Sequence, residues 1–272
     1  MKISRIIVLA AVFLICSLGV AFASDPDSVV VEKERGLIDW SENYIEATGM
    51  AVAPKNTQGA QARALARRGA IVDLQRNLLE FTNGVQIDAR TVMDDFMAED
   101  RVRSEVHGLI KGVELLKGEW DGEAYTVTGR IKLAQLRVIV APSIPRDKTI
   151  IEIEKKEPAP KKSKHTGLII DVRHLPLVPA MTFRVFDEGG RAVYGMEFVD
   201  EDAFLQSGIC SYYNNINYAK GEIHVAPSPI STKAIRLSTG NVDIVIPNSA
   251  ASQVRGSSYD FRRDCKVIII VK

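Results

Sequence analysis

Catalytic signatures are what this sequence has least of. Its 272 residues contain no G-x-S-x-G elbow, no S-x-x-K pair, no H-E-x-x-H and no C-x-x-C. A P-loop is also missing, as is a G-x-G-x-x-G following a strand-like run. Four histidines (His107, His165, His174 and His224) are scattered, and no two stand at metal-ligand spacing. Carboxylate pairs at Asp94-Asp95, Glu99-Asp100 and 200–202 read as solvated loops or helix starts rather than as acid/base pairs. The expectation is a protein without catalysis, cofactor or metal.

Excess charge is missing too. The chain has 35 basic and 34 acidic residues. A nucleic-acid-binding domain normally shows a clear basic excess, so no nucleic-acid partner is expected. One segment stands out against this background, "AQARALARRGAIVDLQRNLLEFTNGVQI" at 60–87, with Arg63, Arg67, Arg68 and Arg76. At 100° per residue these arginines spread around the cylinder. Ala60, Ala64, Ile71, Leu74 and Leu78 gather on one side, with Leu65, Val72 and Leu79 beside them. A wide apolar stripe suits a helix lying across a sheet. Gly69 falls away from the stripe, where a helical glycine is simply tolerated.

Long apolar runs occur once, at the N-terminus. Lys2 and Arg5 precede an apolar stretch over 6–20, then Ala21-Phe22-Ala23 supplies small residues at −3 and −1 ahead of polar Ser24. This predicts a secretory signal at 1–23, cleaved between Ala23 and Ser24, and a periplasmic or outer-membrane-associated mature protein. Cleavage removes Lys2 and Arg5 and takes the net charge from +1 to −1. An uncleaved anchor and lipidation at Cys16 are the competing readings. The first has a run short for a ~30 Å hydrocarbon core, and the second meets bulky Ile15 where a lipobox needs a small residue. Membrane association is thus expected to be peripheral at most. Cys210 and Cys265 then remain, an even pair that is a candidate disulfide in an oxidising compartment.

The mature chain divides at 142–165, "PSIPRDKTIIEIEKKEPAPKKSKH", whose prolines and charges predict an extended linker. The expected class is α+β. An N-terminal module at 36–141 places one long helix on an antiparallel sheet, capped at Asn56 or Thr57 and stopped by a left-handed Gly84. Within it, "LIDWSENYIEATGMAVA" and "VHGLIKGVELLKGEW" read as strands. Asp121-Gly122 marks a hairpin turn. The C-terminal module at 166–272 is expected to be mostly β with one short helix in "NSAASQVRGSSYDF", capped at Asn248 or Ser249. "SYYNNINYA" mixes the residue types of adaptable recognition surfaces, which makes Tyr212, Tyr213, Asn214, Asn215 and Tyr218 a candidate contact surface.

The run "GMAVAP…AQARALARRGAIVDLQRNLLEFTNGVQI", with "VHGLIKGVELL" and "DGEAYTVTGRIKL", resembles a known domain over about residues 45–135. That domain is shared by LPP-type bacterial outer-membrane lipoproteins and the N-terminal part of flagellar assembly protein T. The resemblance implies a helix on an antiparallel sheet and a non-catalytic role among envelope proteins, in a large ring or outer-membrane assembly, with oligomerisation in prospect. The lipobox cysteine of that family is missing here, so lipid anchoring does not carry over. The competing reading is a periplasmic ligand-binding protein or hydrolase with its site between the modules.

Overall fold

A computed structural model describes residues 28–147, 149–150 and 163–272. The signal segment, with Ala21, Ala23 and Ser24, lies outside the described residues, as does most of the proposed linker. The described chain is mixed α/β, with three sheets.

The first sheet is antiparallel, in the order β1 (Val30–Lys33), β2 (Gly36–Asp39), β3 (Tyr44–Val52), β5 (Ala124–Lys132), β4 (Glu114–Trp120). The single strand expected around Trp40 is therefore two. Asp39 folds back to accept from the Ser41 and Glu42 amides at 3.0 and 2.8 Å, and Asn43 takes φ 60°, so the chain turns before β3 begins. Asp121-Gly122 joins β4 to β5, with Gly122 at φ 109° and the Asp121 carboxylate accepting from two following amides. "VHGLIKGVELL" is not one strand: helix α3 (Asp100–Lys111) runs through its first half and β4 begins at Glu114.

Helix α1 (Gly59–Asn83) crosses β3 and β5. Its start and stop differ from the sequence reading. Gln58 precedes it without a side-chain cap, Asn56 sits outside at φ 70°, and Gly84 has a right-handed φ of −81°. Its buried stripe is Ala62, Ala66, Ala70, Leu74, Leu78 and Phe81, whereas Ala60, Ala64, Leu65 and Val72 face outward. The reason lies on the sheet. A Cβ on Gly49 of β3 would stand 2.2 Å from the Ala70 carbonyl oxygen and 2.2 Å from the Leu74 amide nitrogen. Helix and strand backbones touch here, and only small side chains fit around such a contact. Gly69 belongs to the same approach, since a Cβ there would lie 2.8 Å from the Ala51 methyl; it is not a solvent-side tolerance. Short helices α2 (Met93–Phe96) and α4 (Leu133–Val140) complete this half.

The C-terminal half holds β6 (Gly167–Asp171), β7 (Val185–Phe186), β8 (Ala192–Tyr194), β9 (Ser211–Tyr213), β10 (Pro229–Lys233), β11 (Arg236–Leu237), β12 (Ile244–Val245) and β13 (Val267–Ile270). A parallel sheet runs β10-β6-β13-β9, and a mixed sheet runs β11-β12-β7-β8, in which only the β12–β7 pair is parallel. The runs "GLIID" and "VIII" are almost wholly buried, as two-sided parallel strands require. Three helices rather than one occur among the described residues: α5 (Glu201–Ser207), α6 (Ile216–Gly221) and α7 (Asn248–Arg255). Helix α7 takes no side-chain cap from Asn248, whose amide oxygen instead accepts from the Glu188 backbone.

One apolar core spans both halves. Trp40 meets Tyr212 edge-on at 5.8 Å between ring centroids, and the Ser41 hydroxyl donates to the Tyr212 carbonyl at 2.7 Å. The Met181 and Thr182 amides donate to the Gln86 and Ile87 carbonyls at 2.9 and 2.8 Å. The first residues of the proposed linker join this core as well. Ile144 is buried, and Arg146 donates to the Val199 carbonyl. Pro142 and Pro145 terminate α4 and its following turn without releasing the chain from the surface.

Candidate functional site

The two halves leave a cavity of about 720 Å³ along their junction. Its walls come from the β2–β3 turn (Glu42, Asn43), β5 (Arg130, Lys132), α4 (Arg137), the end of α5 (Gln206, Ser207), and the His224 and 264–266 loops. Glu42, Lys132 and Asp264 are exposed and form a charged rim, while Arg137 and Cys265 lie buried at its base.

Arg137 is the unusual member. It is only 5% exposed, yet no carboxylate pairs with it among the described residues. Its Nη1 donates to Asn43 Oδ1 at 3.0 Å and its Nη2 to the Gln206 carbonyl at 3.4 Å, while Nε is buried without a partner. Burial pulls its pKa below that of a free guanidinium, although a guanidinium keeps its proton in any ordinary protein setting. A buried cation without a counterion is costly, by several kcal/mol when uncompensated. The fold accommodates it deliberately: Gly208, at φ 79°, leaves the guanidinium room where a Cβ would come within 3.2 Å of Nη1. Arg130, by contrast, is satisfied by Glu46 at 2.6 Å and by stacking on Tyr44 at 3.6 Å. His224 also carries a buried Nε2 without a partner, and burial lowers its pKa despite Glu222 nearby.

A second cavity of about 380 Å³ is lined by Asp88, Arg184, Glu197 and Asp243. Burial raises the Asp243 pKa while the Arg184 amide donates to its carboxylate at 2.8 Å, and Glu197 lies 2.5 Å from the Arg184 guanidinium. Arg184 is the cation shared by these acids, and both Glu197 carboxylate oxygens are buried with no hydrogen bond beyond that ion pair. No group of three His, Cys, Asp or Glu among the described residues is placed to hold a metal ion, and no helix among them is long and apolar enough to cross a membrane.

The expected contact surface is split. Tyr212 is buried, and its hydroxyl bonds both the carbonyl and the amide of Ala180, so it serves the core. Strand alternation explains this, since Tyr213 points the other way and rests against Tyr218 at 5.2 Å. Asn215 is occupied in capping α6, accepting from the Asn217 and Tyr218 amides; Asn214 also has a partner. Tyr218 is 55% exposed while resting against Tyr213.

The expected Cys210–Cys265 disulfide is not formed in the structure, where both are free and buried. Cys210 lies near the Tyr212 hydroxyl and Cys265 near the Tyr194 hydroxyl, which donate to the Ala180 and Ile209 carbonyls. Burial pushes Cys265 up to about 12 and Cys210 higher still. Both should resist thiol reagents in the native protein at pH 8, and react once denaturant is added; fast labelling of the native state would contradict this burial. A free cysteine ionises near pH 8.5 when unfolded, so the neutral folded thiols contribute stability fully below that pH. This contribution should fall as pH rises from about 9 toward 12, read as a declining urea midpoint.

Arg137 was hidden in sequence because it follows "AYTVTGRIKLAQL", which reads as a strand to its end although the structure turns it into α4 from Leu133. The available signal was a lone charge inside the run "LAQLRVIV". No curated protein matches the chain. Residues 167–272, less than half of the chain, are similar to the family model described as the second domain of Treponema pallidum Tp0624.

Proposed function

We propose that this is an exported, non-enzymatic envelope protein that works by protein–protein contact, in a flagellar or outer-membrane assembly. The observation that carries this reading is β4. It ends the first sheet, all but its last residue are exposed, and it presents Leu115 and Leu116 at 39% and 46% exposure. An open edge strand is a template on which a partner strand can pair. A bulge at Leu116 and the charge of Lys117 restrict which partner register is accepted. The resemblance of residues 45–135 to envelope and flagellar-assembly domains supports the same reading.

The test is a photo-crosslinking residue at Leu116 in the native envelope. High-mass adducts are expected, and Leu116→Lys should abolish assembly while changing stability by no more than about 0.5 kcal/mol. A strictly monomeric protein without adducts would sink the proposal.

The junction cavity favours a second reading, a ligand-binding module. Its volume falls within the roughly 300–1,000 Å³ of small-molecule sites, and its polar groups converge from the six segments that wall it.

A further inference from the structure

We propose that the junction cavity binds the carboxylate of a small organic ligand, with Arg137 as the anchoring cation. This rests on the ligand-binding reading of the cavity and is independent of β4.

Four observations converge on it. Arg137 is buried at the cavity without a carboxylate partner among the described residues. Only two hydrogen bonds are placed on its guanidinium, to Asn43 and Gln206, although that group carries five N–H donors. The positive φ of Gly208 and the left-handed Asn43 hold protein atoms against the guanidinium, so the cation is positioned before any ligand arrives. His224 adds a second unsatisfied buried nitrogen on the same lining.

Charge selects the anion. Arg130 is neutralised by Glu46. Lys132, Arg137 and Lys266 then face Glu42 and Asp264, which leaves one positive charge on the lining. A monocarboxylate closes that balance. A phosphate group, at about −1.5 to −2, would leave the site negative with two carboxylates already on its rim. The planar guanidinium fork also matches a carboxylate in two parallel hydrogen bonds. That balance is local to the buried base: away from it Glu42 and Asp264 offset Lys132 and Lys266 and can receive an ammonium, so a free amino acid or a short peptide can set its carboxylate on Arg137 and its ammonium at the rim.

The test is an NMR titration of the full chain that follows the Arg137 Nε–H signal. The probes are sodium acetate, tri-alanine, tri-alanine amide and inorganic phosphate, at matched ionic strength. Acetate and tri-alanine should shift that signal, tri-alanine more tightly, while the amide leaves it in place. Arg137→Gln should weaken tri-alanine binding by about tenfold or more, the scale of a lost charged hydrogen bond. The exposed rim variant Lys132→Ala covers the case in which the Arg137 variant fails to fold. It should weaken binding by a few-fold and flatten its salt dependence. A silent Arg137 signal with every probe would overturn both the site and the ligand-binding reading. Equal response to the amide, or tighter binding of phosphate, would overturn the carboxylate assignment while leaving a binding cavity in place.

Discussion

Gly49→Ala is expected to destabilise the protein by about 3 kcal/mol or more, an unusually large effect for a single methyl group. Alanine is ordinarily better than glycine in a strand by roughly 0.5–1 kcal/mol. Here the added carbon would stand 2.2 Å from the Ala70 oxygen and the Leu74 nitrogen. Both are backbone atoms in the middle of a 25-residue helix, so neither can swing aside. Relief requires lifting α1 away from β3, which loosens the burial of Ala66, Ala70 and Leu74 at once. Urea denaturation should show the loss as a lower midpoint with an unchanged slope. Gly69→Ala is the control on the helix side of the same contact. Its new carbon meets only the Ala51 methyl at 2.8 Å, and it gains about 1 kcal/mol of helix propensity. A near-neutral Gly49→Ala would show that helix and strand do not approach as closely as described.

Trp40→Ala should cost about 3–5 kcal/mol, the range for removing a large buried aromatic. The informative part is where the loss appears. Trp40 belongs to the N-terminal half but packs on Tyr212 in the C-terminal half, within one continuous core. Both halves should therefore unfold in one transition. In the unaltered chain lacking residues 1–23, tryptophan fluorescence reports the N-terminal half through Trp40 and Trp120. Labelling of Cys210 and Cys265 reports the C-terminal half. The two probes should share one midpoint, the two-state criterion. The variant should lower the thiol midpoint as far as the circular-dichroism midpoint. Thiol protection that survives unchanged in Trp40→Ala would mean that the halves fold separately.

What could be read without coordinates was local. The Asp121-Gly122 turn is one case, because a hairpin needs a residue tolerant of positive φ, and that requirement is written in two letters. The strands in "GLIIDVRHL" and "CKVIIIVK" are another, since short apolar runs carry a strand signal, although their parallel pairing is visible only in the fold. Neutral charge and the missing motifs equally needed no fold.

The buried face of α1 needed one. Ranking by hydrophobicity selects Ile71, Leu65 and Val72, yet a helix that touches a glycine-bearing strand turns its alanines inward. That choice depends on Gly49, ten residues before the helix begins, and on Gly129, far away on β5, against which the Leu74 side chain packs. Arg137 tells the same story for the candidate site. Its sequence neighbours make it one charge in an apolar run, and the unpaired guanidinium exists only because α4, α5 and the β2–β3 turn meet there. The sequence by itself determined the long helix, the Asp121-Gly122 turn and the lack of sequence-local catalytic motifs. The tertiary structure decided which faces are buried and where charge is left over, because both depend on contacts between residues dozens of positions apart.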